Sequence, residues 1–483
     1  MSTQIYEHGL KRWIEDEKAA LELITVIGKL WFEKSIELLL FRNQLVEKSS
    51  SVLLNLHHYA REVVKQPITI HDTLKLAKAI FYADIAPSRL DIGRINVEWL
   101  NEKQDYTNEA DFISNKLKAL AGKDKINLQP KDVVLYGFGR IGRIAARELI
   151  VQAGKGEQLR LRAVVTRDKL PGDIIKRANL LMTDSVHGNF PGTVITDVDN
   201  QCLWINGHKV QFISAGKPED IDYTEYGIEE ALVIDNTGVW RDRVGLSRHL
   251  QAKGTSKVLL TAPGKGDIPN IVYGVNSNKY DYKGEKIWSA ASCTTNAILP
   301  VLAVINQTLG IEKGHAETVH SYTNDQNLLD NFHSKHRRGR SAALNMVITE
   351  TGAASAIAKV LPELDGKFTG NAIRVPTPNV SLAVLNLQVH HKTTKEAVNE
   401  IMRQAALKGD LVEQIKYSFY DELVSSDLVG SSTPSIFDSP STIVSKDGKG
   451  IVLYVWYDNE YGYTRQVIRV AKRLAGVTRL PYY

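Results

Sequence analysis

The segment that begins at Lys131 constrains the fold of this chain most, because it joins an apolar run to a helix through closely spaced glycines. The run 132–136 is followed by Gly137-Phe138-Gly139-Arg140-Ile141-Gly142, and helical spacing continues to Val151. The first glycine permits a tight turn, the second lets the backbone approach a pyrophosphate, and the third allows close helix–strand packing. An ordinary glycine-rich turn is the competing interpretation, but the strand–turn–helix context favours nucleotide binding.

Strand and helix patterns alternate after this motif. Short apolar runs at 159–166, 232–236 and 257–261 are typical of further strands in one sheet. This alternation predicts an α/β fold with a Rossmann-type, doubly wound parallel sheet over 129–292. Strands then dominate over 293–458, which predicts a second, α+β catalytic domain.

Residues 1–128 have a different pattern. Apolar residues recur at helical spacing over 21–40 and 46–64, with shorter helical patterns at 73–82 and 110–120. We therefore predict an all-α N-terminal segment whose apolar faces form a core or a partner surface. No catalytic constellation is found in this segment.

Composition excludes several classes of protein. The net charge of +5 over 483 residues is too small to indicate a nucleic-acid partner. We find no bilayer-spanning apolar run and no signal-peptide pattern, so we expect a soluble cytoplasmic protein without a membrane partner. With only Cys202 and Cys293, a disulfide framework is excluded and a reducing compartment is expected. The adjacent His57 and His58 would point about 100° apart on a helix, so we predict no metal site.

Cys293 lies in Ser292-Cys293-Thr294-Thr295-Asn296, where a strand-like run gives way to a helix. A thiol at a helix N-terminus meets unpaired backbone N–H groups and the positive end of the helix dipole, and both favour the thiolate. Because the thiolate is the nucleophile, this placement indicates covalent catalysis. A buried structural cysteine is the alternative interpretation when the residue is considered alone.

The residues that end the second predicted strand bear on the choice of coenzyme. An acidic residue is expected there for NAD, but Thr166 and Arg167 occupy the position. A guanidinium pairs well with a 2′-phosphate, so we favour NADP or the use of both coenzymes. In the competing interpretation, Asp168 binds the ribose and Arg167 lies in solvent.

Several longer motifs point to one family. They occupy residues 137–143, 290–296, 320–326, 351–354, 374–380 and 456–463. In this order and spacing, they make the chain from Lys131 onward resemble phosphorylating glyceraldehyde-3-phosphate dehydrogenase. The resemblance implies a homotetrameric enzyme that interconverts glyceraldehyde 3-phosphate and 1,3-bisphosphoglycerate with inorganic phosphate and NAD(P). That reaction belongs to glycolysis, and NADP use would suit the reductive, gluconeogenic direction.

The resemblance also implies roles for individual residues. Cys293 is the nucleophile, and His320 is the base that activates it. The substrate phosphate is expected to bind Thr323 and Arg374, with Asp325 nearby. The attacking phosphate is expected to bind Ser292, Thr294, Arg338, Thr351 and Gly352. The coenzyme is expected to contact Gly137, Gly139, Arg140, Ile141, Gly142, Thr166, Arg167, Asn236, Thr237, Gly238, Thr261, Asn459 and Tyr463. The C-terminal segment 459–483 is expected to complete the coenzyme domain.

The chain also departs from the family pattern. Tyr136 replaces the usual Asn before the glycine motif, and Asn331-Phe332 replaces the usual Leu-Pro of the long active-site loop. Asn331-Phe332 and Thr166-Arg167 both fall around the adenosine ribose, which favours an altered coenzyme preference. Glu350 stands where a small hydroxyl residue is common, and it adds negative charge near the expected phosphate site.

Two alternative functions remain open. One is an erythrose-4-phosphate dehydrogenase, which resembles the same family and uses water in deacylation. The other is a regulatory or interaction protein on the same fold, suggested by the added residues 1–128. The basic run 337–340 could otherwise bind nucleic acid, but in this family it lies in the loop that lines the substrate and cofactor sites.

Overall fold

The computed structural model describes residues 3–126, 128–167 and 172–483. The described chain divides into two compact units. Unit 1 contains the chain up to Gln129 together with Gly154–Glu157 and Thr478–Tyr483, and unit 2 contains Pro130–Ala153 and Gln158–Val477. No described helix combines the length and apolar character needed to cross a membrane.

The described residues form helices in both units, numbered in chain order. They are α1 (Thr3–Lys34), α2 (Ser50–Val64), α3 (Ile70–Tyr82), α4 (Ile92–Glu102), α5 (Glu109–Lys116), α6 (Arg140–Val151), α7 (Asp173–Met182), α8 (Arg243–Ser247), α9 (Cys293–Leu309), α10 (Ala353–Val360), α11 (Lys395–Leu407) and α12 (Tyr461–Ala475).

The strands of the described residues follow the same order. They are β1 (Glu37–Leu40), β2 (Asn43–Gln44), β3 (Ser88–Asp91), β4 (Lys131–Tyr136), β5 (Leu159–Thr166), β6 (Thr183–Asp184), β7 (Gly188–Asn189), β8 (Val194–Asp197), β9 (Cys202–Ile205), β10 (His208–Ser214), β11 (Ala231–Asp235), β12 (Thr255–Leu260), β13 (Ile287–Ser289), β14 (Ile311–Ser321), β15 (Val347–Thr349), β16 (Phe368–Val375), β17 (Ser381–Val389), β18 (Ile415–Ser418), β19 (Ser435–Asp438), β20 (Ile443–Val444), β21 (Gly450–Tyr457) and β22 (Leu480–Tyr482).

Unit 1 corrects the prediction of an all-α N-terminal segment. Its helices α1–α5 accompany a four-stranded sheet in the order β2-β1-β3-β22. The apolar residues of 36–40 fit helical spacing, but positive φ angles at Ser35, Phe41 and Arg42 separate them from helical backbone. All four side chains of β1 are buried. Periodicity cannot distinguish so short and so fully buried a strand from a helix.

The coenzyme half of unit 2 confirms the predicted doubly wound parallel sheet. Its strands run in the order β13-β12-β11-β4-β5-β10-β9-β8, and β13 to β10 pair in parallel. Apolar side chains of α6, α7 and α12 fill one face, including Leu149, Leu181 and Val467. A second buried cluster, around Tyr223 and Val233, lies on the other face. The carboxyl ends of the parallel strands are thereby left to carry polar loops.

The catalytic half of unit 2 is a mixed sheet with helices packed on it. The strand order is β15-β16-β14-β17-β21-β19-β18, with β20 paired to β21. Buried residues of α9, α10 and α11 form one core with this sheet, including Leu302, Ile357 and Met402. Because α9 is apolar on nearly all sides, it is a central helix, and its N-terminus carries Cys293.

Candidate active site

The candidate nucleophile follows a strained turn at the start of α9. Ala291 has a φ of +56°, in the left-handed region that residues with a Cβ rarely adopt. The side chain of Ser292 caps the helix by accepting a hydrogen bond from the backbone N–H of Thr295. Cys293 is therefore the first helical residue, and its own N–H has no partner within the helix.

Hydrogen bonds hold this turn from several sides. Tyr463 donates from its hydroxyl to the carbonyl of Ala291 at 2.9 Å, and Ser289 Oγ accepts from the N–H of Ala291 at 3.0 Å. Asn296 Nδ2 donates to the carbonyl of Ser292 at 2.9 Å. Strain persists at functional sites where the surroundings over-determine the backbone, as they do here.

Cys293 and His320 meet although they belong to different elements. Cys293 Sγ lies 3.5 Å from His320 Nε2. His320 is near the end of β14, and its Nδ1 lies 2.7 Å from the carbonyl oxygen of Ser321. Since a carbonyl can only accept, Nδ1 carries the hydrogen and Nε2 presents its lone pair to the thiol. This is the arrangement of a nucleophile beside an oriented base.

The thiol and the imidazole are both neutral in this environment. Burial and then the nearby Arg374 guanidinium lower the pKa of His320 to about 3. Burial also raises the pKa of the Cys293 thiol, against the opposing influence of Arg374 and of backbone N–H groups. The helix N-terminus favours the thiolate, as the sequence indicated, but desolvation outweighs it. The neutral imidazole can take the proton as the sulfur attacks.

Arg374 lies directly beside this pair. The parallel register of β14 and β16 places His320 opposite Arg374. Arg374 Nη1 donates to the carbonyl of Ser321 at 3.0 Å and to Thr323 Oγ1 at 3.1 Å. Its Nε is buried and has no hydrogen-bond partner among the described residues. A guanidinium with an unused donor is suited to an oxyanion.

Asp325 and Arg338 extend this cluster. Thr323 donates to Asp325 Oδ1, and Arg338 Nη1 donates to Asp325 Oδ2 at 2.7 Å. Burial alone would raise the pKa of Asp325, but hydrogen bonds from Thr323 and Arg338 hold that pKa below its usual range. Arg338 also donates from Nε to Thr349 Oγ1 at 3.3 Å. The structure thus connects Thr323, Asp325, Arg338 and Arg374 in one network.

The other residues expected around the attacking phosphate are less closely connected. Thr294 Oγ1 lies 3.0 Å from the hydroxyl of the buried Tyr457, so this hydroxyl already has a protein partner. Gly352 precedes the first turn of α10 and Thr351 precedes Gly352. Among the described residues, no hydrogen bond joins Thr351 or Gly352 to Cys293.

The three motif glycines have different surroundings. Gly137 has a φ of +98°, and a Cβ there would lie 2.9 Å from Thr237 Cγ2. A Cβ on Gly142 would lie 2.3 Å from the carbonyl oxygen of Gly137, so α6 begins directly against the loop. At Gly139, a Cβ would meet nothing within 4 Å. This open space beside the first N–H groups of α6 fits the pyrophosphate of a dinucleotide.

Arg140 and Ile141 belong to the first turn of α6, but the side chain of Arg140 is engaged elsewhere. Its guanidinium donates to both carboxylate oxygens of Asp184, at 3.1 Å each, and to Glu460 Oε2 at 2.6 Å. The hydrogen bonds with Glu460 raise the pKa of Arg140. The first turn therefore offers backbone N–H groups, rather than this guanidinium, to a coenzyme.

Asn459 lies between β21 and α12 and is buried. Its Oδ1 accepts a hydrogen bond from Ser381 Oγ at 2.8 Å, and Ser381 Oγ accepts from the N–H of Ser321 at 3.1 Å. No described residue accepts a hydrogen bond from Asn459 Nδ2, so that donor is free for a carboxamide. Ser381 thus connects the strand that bears His320 with Asn459.

The remaining candidate coenzyme contacts lie at the carboxyl ends of parallel strands. Thr166 ends β5, and the exposed Arg167 follows it. Residues 236–238 follow β11, and Thr261 follows β12. Dinucleotides bind at this edge of such sheets. Asp168, the alternative ribose ligand, lies outside the described residues.

Sequence reasoning missed Tyr457 and Ser381. The Tyr457 ring meets the His320 ring edge-on, with centroids 5.9 Å apart and planes at 78°. Burial raises the pKa of Tyr457, which keeps its hydroxyl protonated as a partner for Thr294. Tyr457 lies in the motif at 456–463, which was the only signal for it. Ser381 follows a turn and has the pattern of an ordinary strand residue, so no local signal marks it.

The parallel sheet, the open glycine loop and the thiol–imidazole pair are together typical of a nicotinamide-dependent dehydrogenase. Comparison with known proteins agrees with this class. Residues 131–243 match the family described as "Glyceraldehyde 3-phosphate dehydrogenase, NAD binding domain", and residues 292–459 match "Glyceraldehyde 3-phosphate dehydrogenase, C-terminal domain". The chain belongs to the glyceraldehyde-3-phosphate dehydrogenase family.

Individual relatives differ in how much of the chain they cover. A "Glyceraldehyde-3-phosphate dehydrogenase-like protein" of Pseudomonas aeruginosa is 48% identical over 458 residues, which are 94% of this chain and 98% of the relative. "Glyceraldehyde-3-phosphate dehydrogenase 2" of Trichormus variabilis is 42% identical over 344 residues, 71% of this chain and 98% of the relative. "Glyceraldehyde-3-phosphate dehydrogenase 1" of Bacillus subtilis is 40% identical over 71% of this chain and 98% of its own length. The Pseudomonas protein therefore shares part of the N-terminal segment.

Proposed function

We propose that this chain is a phosphorylating glyceraldehyde-3-phosphate dehydrogenase. It converts glyceraldehyde 3-phosphate, inorganic phosphate and oxidised NAD(P) to 1,3-bisphosphoglycerate, reduced NAD(P) and a proton. The observation that carries the proposal is the 3.5 Å approach of Cys293 Sγ to His320 Nε2, with Arg374 opposite His320 in the sheet. The names of relatives matched over nearly their whole length support the substrate class.

The first half of the reaction uses the thiol and the imidazole. Cys293 Sγ attacks the aldehyde carbon while His320 Nε2 takes the thiol proton. The oxyanion is stabilised by the backbone N–H of Cys293 and by the imidazolium, which returns the proton to give a hemithioacetal. The bound nicotinamide supplies the hydride acceptor. His320 takes the hydroxyl proton as the carbonyl re-forms, and Cys293 then carries a thioester.

The second half needs phosphate. Inorganic phosphate attacks the thioester carbon, the C–S bond breaks, and the acyl phosphate leaves as the Cys293 sulfur regains its proton from His320. Arg374 and Thr323 are proposed to bind the substrate phosphate, because Arg374 donates a hydrogen bond to Thr323 beside His320. Arg338 with Ser292, Thr294, Thr351 and Gly352 is proposed to bind the attacking phosphate.

Measuring acyl release with and without phosphate tests this function. The wild-type protein should form about one equivalent of reduced coenzyme per Cys293 without phosphate, and steady turnover should begin when phosphate is added. Cys293→Ser should abolish both phases. Cys202→Ala, which removes the other cysteine of the chain, should change neither. Steady turnover on erythrose 4-phosphate without added phosphate would instead identify the alternative enzyme.

For the coenzyme, we propose NADP or the use of both coenzymes, because the exposed Arg167 follows β5 where an acidic residue would select NAD. Arg167→Ala should raise the KM for NADP and leave the KM for NAD nearly unchanged. Arg160→Ala, which removes an exposed arginine from the other end of β5, is the matched control and should alter neither. An unchanged NADP preference in Arg167→Ala would exclude Arg167 from coenzyme selection.

We also propose a homotetramer. Large apolar side chains are exposed in the loop after β14: Leu328 is 75%, Leu329 is 72% and Phe332 is 91% exposed. Clustered exposed apolar residues are typical of an interface between subunits. Light scattering should give the mass of four chains, and Phe332→Asp should reduce it.

A further inference from the structure

A buried acid–histidine pair lies outside the catalytic groups. Asp235 is the last residue of β11 and His249 follows α8, and their exposed fractions are 0% and 1%. Asp235 Oδ2 lies 3.1 Å from His249 Nε2. Asp235 Oδ1 accepts hydrogen bonds from the N–H and the hydroxyl of Thr237, each at 2.7 Å. A fully buried carboxylate requires such donors, since it has no water to solvate it.

The surroundings of His249 restrict its ring to this one bond. The ring of Tyr136 meets it edge-on at 4.7 Å between centroids, and that of Trp240 meets it at 5.7 Å. The interplanar angles are 81° and 83°. His249 Nδ1 is buried and has no hydrogen-bond partner among the described residues. The ring is therefore fixed by two aromatic edges, and its single polar bond fixes the carboxylate of Asp235.

Thr237 lies between this acid–histidine pair and the glycine loop. A Cβ on Gly137 would lie 2.9 Å from Thr237 Cγ2 and 3.5 Å from Thr237 N. Asn236 Nδ2 would lie 3.7 Å from a Cβ on Gly142. The glycine loop and the start of α6 thus pack against the turn 236–238.

We propose that Asp235 and His249 are positioning residues for coenzyme binding: they hold the turn 236–238 so that the glycine loop keeps the shape that receives the pyrophosphate. Neither residue takes part in the chemistry at Cys293. His249 is hydrogen-bonded to Asp235, Asp235 is hydrogen-bonded to Thr237, and Thr237 Cγ2 borders the side of Gly137 on which a Cβ would lie. This inference rests on the coenzyme-binding part of the proposed function.

The test is direct coenzyme binding to the full chain, by calorimetry and by quenching of intrinsic fluorescence, with NAD and NADP as separate probes. His249→Leu should raise the Kd of the coenzyme about tenfold or more, because Asp235 loses the hydrogen bond that fixes its carboxylate and the turn 236–238 is no longer held in place. kcat at saturating coenzyme should stay within about twofold. The rate of Cys293 alkylation by iodoacetamide without coenzyme should be unchanged.

Three further variants separate positioning from general destabilisation. Thr237→Val keeps the hydrogen bond from the backbone N–H to Asp235 but removes the one from the hydroxyl, so the Kd should rise by a smaller factor. This variant also tests the positioning role if His249→Leu does not fold. Asp235→Asn retains an acceptor for Thr237, but it can pair only with the tautomer of His249 that buries an unpartnered hydrogen on Nδ1, so the Kd should rise by a smaller factor than in His249→Leu. Leu246→Ala, buried in α8, should lower Tm without changing the Kd.

The outcomes are distinguishable. If the wild type binds neither coenzyme, the proposed function fails. If the wild type binds and folded His249→Leu and Thr237→Val bind equally well, the positioning role is refuted while the proposed function stands. A loss of kcat without a change in Kd would also refute it.

Discussion

Adding one methyl group to the glycine loop should weaken coenzyme binding at two positions but lower the Tm at only one of them. In Gly142→Ala, the new Cβ would lie 2.3 Å from the carbonyl oxygen of Gly137. An ordinary C···O contact is about 3.3 Å, so the start of α6 must move by about 1 Å. Overpacking of this kind costs about 1–3 kcal/mol, or a fall in Tm of roughly 2–6 °C for a large domain. The same shift should weaken coenzyme binding by about tenfold or more, because it moves the first N–H groups of α6 away from the pyrophosphate.

Gly139→Ala is the matched variant, because it adds the same group to open space. Its backbone, with φ −74° and ψ −160°, is accessible to alanine, and nothing lies within 4 Å of the new Cβ. Tm should therefore be unchanged in the protein without coenzyme, while the coenzyme Kd should rise at least tenfold because the methyl group occupies the path of the pyrophosphate. Scanning calorimetry and coenzyme titration of both variants are the assays. Normal coenzyme binding by Gly139→Ala, or an unchanged Tm in Gly142→Ala, would refute the role assigned to this loop.

The other predictions concern stability and the substrate. Glu148→Leu removes the carboxylate that lies 2.5 Å from the buried Arg465 and should lower the free energy of unfolding by about 3–5 kcal/mol in urea titrations. A loss below about 1 kcal/mol would contradict this. The pKa of His320 is about 3 in the folded protein and about 6.5 in the unfolded chain. Its contribution to the free energy of unfolding is therefore full above about pH 6.5 and is lost as the pH falls toward about 3. His320→Gln should remove this part of the dependence of the free energy of unfolding on pH. Arg374→Lys keeps the positive charge but loses the paired N–H donors of the planar guanidinium. The KM for the substrate should therefore rise about tenfold, while the rate of Cys293 alkylation should change less than about twofold.

The parts of the fold that the sequence predicted share a property: each has a local signal. The glycine motif follows a strand and opens a helix, so its place at the sheet edge follows from connectivity alone. Cys293 and His320 were paired through a family resemblance, and the structure brings them to 3.5 Å. No spacing rule would have joined an α9 residue to a β14 residue.

The parts that the sequence did not predict depend on contacts between distant residues. Strand β1 is too short and too buried for periodicity to separate it from a helix, and positive φ angles at Ser35, Phe41 and Arg42 flank it. Desolvation in the folded protein raises the pKa of the Cys293 thiol, and no local sequence pattern contains that effect. Ser381 and His249 make hydrogen bonds to residues 78 and 14 positions away along the chain, which local patterns do not reveal.

The strand β22 has a consequence for biosynthesis. Leu480 pairs with Ser88 and Tyr482 with Leu90, so the sheet that organises the first unit lacks its edge until some 390 later residues have left the ribosome. Strand β3 therefore remains an unpaired sheet edge while the residues between β3 and β22 are translated. The four-stranded sheet can therefore be complete only after residue 482 has been synthesised.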